Sequence, residues 1–327
     1  MRAVALVLLA CGILLSPLAV GLEPPNEVPT VAVLSFHPAE VVAPFVAALR
    51  QGLGERGYVE GRSIVVLERY AERRAERLAE LAAELARLKV DVIVTGGDPA
   101  VGAVRRVTST IPVVLGLDGG DPVGLGFVAS LARPGARLTG VAAVSILLNL
   151  RRLELLRQVA PRLARVGVIV NAAYPLRERL VAELEVAAYR LGLSVRFHEV
   201  AGADDLERAL PALARARVEA LLVASDQTFF EQRARIVEAA ARSRLPALYC
   251  EREFVEAGGL MAYSADLAEQ FRRSAGLVDR ILKGASPGDI PVEQPAKLEL
   301  AINVRTAALL GIRISPTLLA RADRVIR

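Results

Sequence analysis

The chain writes one α/β pattern twice. Residues 88–114 read LKVDVIVTGGDPAVGAVRRVTSTIPVV: an apolar strand, a short polar break, a helix, then Ile-Pro and a second strand. Residues 216–248 read ARVEALLVASDQTFFEQRARIVEAAARSRLPAL, the same order with Leu-Pro ahead of the last strand. Another apolar strand and a long helix stand upstream of each copy. Buried strands alternating with helices at this spacing build parallel sheets with right-handed crossovers. The doubled pattern therefore predicts an α/β chain of two similar doubly wound parallel-sheet lobes joined by a multi-strand hinge. A cleft between two lobes suits a ligand clamp better than most single-site catalysts.

Length and composition agree with that reading. A chain of 327 residues is long enough for two full cores. Apolar residues make up 53% and charged residues 24%, a globular balance rather than a disordered one. The formal charge of +5 comes almost wholly from Arg, with Lys89, Lys283 and Lys297 the only lysines. These charges are spread among Glu along helices. Over 72–89, Leu78, Leu81, Leu85 and Leu88 form an apolar stripe, with Arg and Glu elsewhere, the pattern of a solvated helix face. No nucleic-acid motif accompanies the basic balance, so no nucleic-acid partner is expected. Aromatics are scarce, with eight Phe, six Tyr and no Trp to supply a ligand-facing ring.

The amino terminus reads as an export signal. Arg2 precedes the apolar run Ala3–Leu15, and Ala19-Val20-Gly21 fits a small-x-small cleavage site that starts the mature chain at Leu22. The run is too short for an ordinary membrane span. Leu8-Leu9-Ala10-Cys11 also fits a lipobox, which would instead anchor the chain through Cys11. If Cys11 leaves with the signal, Cys250 is the one cysteine left, and it is read as a small residue at a strand end. The expected organisation is a signal over 1–21, an extended leader over 22–29, a first lobe over 30–142 plus about 265–285, and a second lobe over 143–264. A tail over 286–327 is expected to pack on the joint. Hinge crossings are expected near Val141–Ser145, Gly259–Ser264 and within 287–295. Pro122–Ala132 reads as a helix opened by proline, and Phe229–Arg242 as one continuous helix.

Gly52-Leu-Gly-Glu-Arg-Gly57 matches a dinucleotide fingerprint by letter but not by context. Such a loop must leave a strand and open a helix, whereas these glycines end a helix and lead into another turn. There is no G-x-S-x-G, H-E-x-x-H, C-x-x-C or P-loop. Two histidines and one mature cysteine leave little for a metal site. No catalytic residue, metal or cofactor is expected. Asp204-Asp205 sits where a helix starts and reads as a cap.

The informative residues lie just past the carboxyl ends of strands, where open α/β sheets bind ligands. In the first lobe these are Ser35, Phe36, Thr95, Gly96, Gly97, Asp98, Asp118 and Asp121. In the second they are Asn171, Tyr174, Asp226, Gln227 and Glu251, with Ser145 at the crossing between lobes. Gly-rich breaks let a carboxylate approach backbone N–H groups at helix starts, and Asp118, Asp226 or Glu251 could meet an ammonium. Phe229-Phe230 could serve as a cleft wall or pack a helix, and packing is favoured.

Several runs carry a family likeness. They are Gly52-x-x-x-x-Gly57-Tyr58-Val59-Glu60-Gly61, Val90–Gly97, Asp121-Pro122-Val123-Gly124, Leu131–Gly135, Glu253–Tyr263 and Leu282–Val292. In combination they resemble the ABC-transporter substrate-binding protein family that includes tryptophan- and aromatic-amino-acid-binding members, over about Val28 to Ile326. Asp118-Gly119-Gly120-Asp121 departs from that family's shorter approach to Asp-Pro-Val-Gly. The resemblance implies an exported, two-lobed periplasmic-binding fold of type I. Such a protein acts as a monomer that closes on a small solute, an amino acid being the candidate, and hands it to an ABC permease in the membrane. A ligand sensor of the same fold that addresses a membrane receptor is the alternative.

Overall fold

The computed structural model describes residues 28–117, 121–135, 137–142, 148–201, 203–295 and 298–327. The export signal, most of the leader, Asp118 and Ser145 lie outside the described residues.

The first sheet begins with β1 (Thr30–Ser35), whose apolar run Val31–Leu34 is fully buried. Then come α1 (Ala39–Gly54), β2 (Val65–Tyr70), α2 (Ala75–Leu88), β3 (Val92–Gly96), α3 (Asp98–Val107), β4 (Val113–Leu117) and β5 (Leu138–Gly140). The strand order is β2-β1-β3-β4-β5, parallel throughout, with Val31 paired to Val66 on one side and to Val92 on the other. Leu78, Ala82 and Leu85 of α2 bury against one face of the sheet. Leu88, read from the sequence as part of that stripe, is 54% exposed, because the helix ends there in a left-handed Lys89.

After the crossing come α4 (Asn149–Val159), β6 (Arg165–Asn171), α5 (Arg177–Arg190), β7 (Ser194–Val200), α6 (Ala203–Arg215), β8 (Ala220–Val223), α7 (Gln227–Glu231), α8 (Arg233–Arg242), β9 (Ala247–Tyr249), α9 (Glu253–Glu256) and β10 (Met261–Ala265). The chain then returns to the first lobe as α10 (Leu267–Leu282), which packs against α1 on the other face of the first sheet. Gly52 makes that approach possible: a Cβ there would sit 2.3 Å from the Arg272 carbonyl oxygen. The glycine in the apparent fingerprint thus serves helix packing, at the end of a helix as its context required.

The tail departs from expectation. β11 (Leu298–Asn303), α11 (Val304–Leu309), α12 (Pro316–Ala320) and β12 (Arg324–Ile326) do not rest on the joint. They complete the second sheet, β12-β11-β10-β9-β8-β6-β7, and Ala307 and Leu318 enter its core. β11 runs antiparallel to β10, Met261 opposite Ile302, so this sheet is mixed rather than wholly parallel. Short strands such as Arg324–Ile326 leave too little alternation to read from sequence. The stretch before β11 touches the first lobe, where Glu293 bridges Val141, and Ile290 and Val292 are buried.

Two helices also differ. Residues 122–132 form turns, not a helix. Asp121 accepts from the Val123 amide at 3.1 Å, and Gly126 takes a φ of +68°, which breaks any continuing helix. The helix expected over Phe229–Arg242 is two pieces, broken at Gln232.

Candidate functional site

The carboxyl ends of both sheets face each other across a cavity of about 730 Å³. The first lobe lines it with Phe36, His37, Gly97, Asp98 and Phe127, and α10 adds Leu267 and Gln270. The second lobe contributes Arg152, Asn171, Tyr174, Ser225, Asp226, Gln227, Phe230 and Glu251.

The second-lobe wall is built by local chemistry. Asp226 caps α7, accepting from the Thr228 amide at 2.8 Å, and its other oxygen accepts from Asn171 Nδ2 at 2.8 Å. Burial pushes the Asp226 carboxyl upward, opposed by the Asn171 and backbone hydrogen bonds. Glu251, 8% exposed, follows β9 and accepts from the Ser225 hydroxyl. Burial pushes it up to about 8, against the pull of Ser225 and of the Arg152 charge. Arg152 lies on α4, 1% exposed; its Nε donates to the Tyr263 carbonyl and its Nη1 to Asn149 Oδ1, both at 3.1 Å. A cation and two carboxyls therefore share one wall, a pairing that matches a zwitterion.

The lobes also touch each other at the cavity. The His37 ring hydrogen-bonds Glu231 at 2.8 Å, Arg73 pairs with the same carboxylate at 3.0 Å, and Asp121 pairs with Arg179 at 2.8 Å. The His37 ring lies 6.2 Å from Phe36 and 5.8 Å from Phe230, so a chain of rings crosses from lobe to lobe. Two glycines seat side chains from the opposite lobe. A Cβ on Gly97, whose φ is +102°, would fall 1.7 Å from Gln227 Nε2, and one on Gly124 would fall 2.9 Å from Leu176.

Of the residues singled out from sequence, Phe36, Gly97, Asp98, Asn171, Tyr174, Asp226, Gln227 and Glu251 line this cavity. Ser35, Thr95 and Gly96 do not. Ser35 and Thr95 are fully buried, with Ser35 Oγ accepting from the His37 amide and Thr95 Oγ1 donating to the Val114 carbonyl. Gly96 packs on Ser35 inside the sheet. Asp121 stands outside the lining and ties the lobes through Arg179. Phe229 packs in the core, whereas Phe230 both packs and lines the cavity. Cys250 is buried after β9, its thiol donating to the Val223 carbonyl at 3.1 Å.

Reading strand ends missed His37, Arg152 and Gln270. Arg152 and Gln270 sit on the buried stripes of α4 and α10, where a polar residue among leucines is itself a signal.

No helix among the described residues is long and apolar enough to cross a membrane. A profile described as ABC transporter substrate binding protein matches residues 30–326. A tyrosine-binding protein of Clostridioides difficile (strain R20291) is 24% identical over 263 residues, covering 80% of this chain and 75% of its own. An ABC domain from Streptococcus pneumoniae, solved in complex with L-Trp, overlays with a TM-score of 0.84 at 24% identity, covering 91% of this chain and 99% of that one. The ligand-free, open structure of a Clostridium difficile substrate-binding protein with adhesive properties gives 0.72 at 20% identity, covering 91% and 99%. The architecture is the type I periplasmic-binding fold. These relatives are binding proteins, not enzymes.

Proposed function

The chain belongs to the ABC transporter substrate-binding protein family, and on that premise we propose that it is the exported solute-binding component of an importer for an aromatic amino acid. The observation that carries this reading is the division of the interlobe cavity. Arg152, Asp226 and Glu251 stand together in the second lobe, and rings from both lobes, among them Phe36, Phe127 and Phe230, line the same cavity. Arg152 meets the solute carboxylate, Asp226 meets its ammonium beside the carbonyl oxygen of the protonated Glu251, and the rings take its apolar side chain. The relatives described above, one named for tyrosine and one holding L-Trp, support the same solute class.

In this mechanism the solute meets the second lobe first, since that lobe carries the buried Arg152 with Asp226 and Glu251. Closure brings Phe36 and Gly97 over it and completes the contacts of His37 and Arg73 with Glu231. Solute contacts to both lobes favour the closed form by as much as their affinity differs between the two states. The closed protein delivers the solute to a permease. The apolar run Ala3–Leu15 supports export, with Cys11 offering a lipid anchor as the alternative.

The test is thermal melting of the chain from Leu22 onward, stripped of solute by unfolding and refolding. The panel holds all amino acids, purines, polyamines and sugars. A ligand at ~100 times its dissociation constant adds roughly 2.7 kcal/mol. Stabilisation by an aromatic amino acid supports the proposal, and stabilisation by a sugar, purine or polyamine alone would sink it.

A further inference from the structure

Gln270 leaves both polar atoms of its side chain buried and unpaired among the described residues, whereas Gln227, across the cavity, leaves only its Oε1 so. Gln270 lies on α10, in the first lobe, 1% exposed, on the same helix face as Leu267, and both line the cavity. Its backbone is ordinary helix, with its amide donating to the Asp266 carbonyl at 3.0 Å. Its side chain is not: neither Oε1 nor Nε2 has a hydrogen-bond partner among the described residues. Buried side-chain polar atoms are nearly always paired, and a carboxamide offers both an acceptor and donors. Asn171, Asp226, Glu251 and Arg152 all find protein partners on the second lobe. The partner of Gln270 must come from the cavity itself.

The charged ends of the solute already have charged counterparts on the second-lobe wall. A neutral amide on the opposite lobe suits a neutral polar group. We infer that Gln270 is a specificity-determining residue whose carboxamide hydrogen-bonds an uncharged polar group on the solute's ring. The cavity thus takes an aromatic amino acid bearing a ring hydroxyl or N–H in preference to one with a plain hydrocarbon ring. This rests on the aromatic amino-acid reading above. The discrimination arises because an analogue lacking that group leaves the Gln270 amide buried and unpaired, which a site built around a hydrogen bond penalises far more than a missing methylene.

The test is calorimetric titration of the stripped protein with L-tyrosine, L-tryptophan and L-phenylalanine, repeated on Gln270→Leu and on the near-isosteric Gln270→Met. Melting curves establish that each variant is folded. The wild type is expected to bind tyrosine or tryptophan at least about tenfold tighter than phenylalanine. In either folded variant that ratio is expected to shrink to within about threefold, through weaker binding of the polar-ringed ligand with phenylalanine unchanged or tighter. The wild-type ratio alone tests the preference even if both variants misfold. A ratio that survives substitution overturns the inference, as does equal weakening of all three ligands, which would place the amide on their shared amino-acid group. A wild type that prefers phenylalanine overturns it too. If none of the three binds the wild type, the solute class falls along with the inference; binding with an unmoved ratio overturns the inference alone.

Discussion

The two lobes share a plan but meet the cavity with different chemistry. The first, five parallel strands closed by the returning α10, presents Phe36 and Phe127, backbone at Gly97, Asp98 at the start of α3 and the neutral amide of Gln270. The second, seven strands including the antiparallel β11, adds the rings of Tyr174 and Phe230 and presents the buried Arg152 with Asp226 and Glu251. The lesson is a division of labour. Charged groups that must be desolvated are held on one rigid wall by protein hydrogen bonds, where each keeps its partner whether or not the lobes meet. The other lobe supplies apolar cover and close backbone approach, which need contact only at closure.

The comparison breaks most sharply at Arg152. Replacing it by Met removes the buried cation that would face the solute carboxylate. Solute affinity is expected to fall by about 3–5 kcal/mol, more than a hundredfold. Calorimetry reads this, with melting curves to show that the variant folds. A loss of under tenfold would move the carboxylate site off the second lobe.

Glu251 sharpens the same wall through pH. Its carboxyl holds a proton to about pH 8 in the folded chain, against an ordinary value of 4.5. Between those limits the folded chain binds more protons than the unfolded one, so stability falls as pH rises through the window. The swing at this one site is on the order of 5 kcal/mol. Melting of the solute-free protein from pH 4.5 to 8 should show it, and Glu251→Gln should flatten that part of the curve. An unchanged profile in the variant would show that Glu251 ionises normally.

The first-lobe contribution is tested by Gly97→Ala. The added Cβ would displace the Gln227 amide, and a φ of +102° strains any L side chain. A weakening of about 1–2 kcal/mol in solute affinity is expected, with the lobes individually intact. Arg179→Ala should have the smallest effect. Its pair with Asp121 crosses the lobes but is half exposed on the Arg side, so its loss should cost under about 1 kcal/mol and fade with salt.

How much of this was legible in the sequence follows from where each residue sits. The repeat over 88–114 and 216–248 carries the two sheets, because strands buried on both faces write unbroken apolar runs such as Val92-Ile93-Val94 and Ala220-Leu221-Leu222-Val223. The strand-end rule found Phe36, Gly97, Asp226 and Glu251, which stand where chains leave the sheets. It overreached at Ser35, Thr95 and Gly96, since one residue decides whether a side chain is inside the sheet or past its edge. It missed Arg152 and Gln270, which reach the cavity from helix faces that only the packed structure brings there. The tail was misplaced for a similar reason. Lys297–Ile302 reads as a strand from its residues, but the antiparallel seat of β11 beside β10 depends on contacts far apart in the chain.

The division between the lobes is tested most directly by comparing L-tyrosine with tyramine, its decarboxylated amine, in calorimetric titrations of the stripped protein. The account predicts one site per chain for L-tyrosine and a loss of more than about a hundredfold for tyramine, because Arg152 then faces no carboxylate. Equal affinity for the two would contradict it, since the buried cation on the second lobe would then play no part in holding the solute.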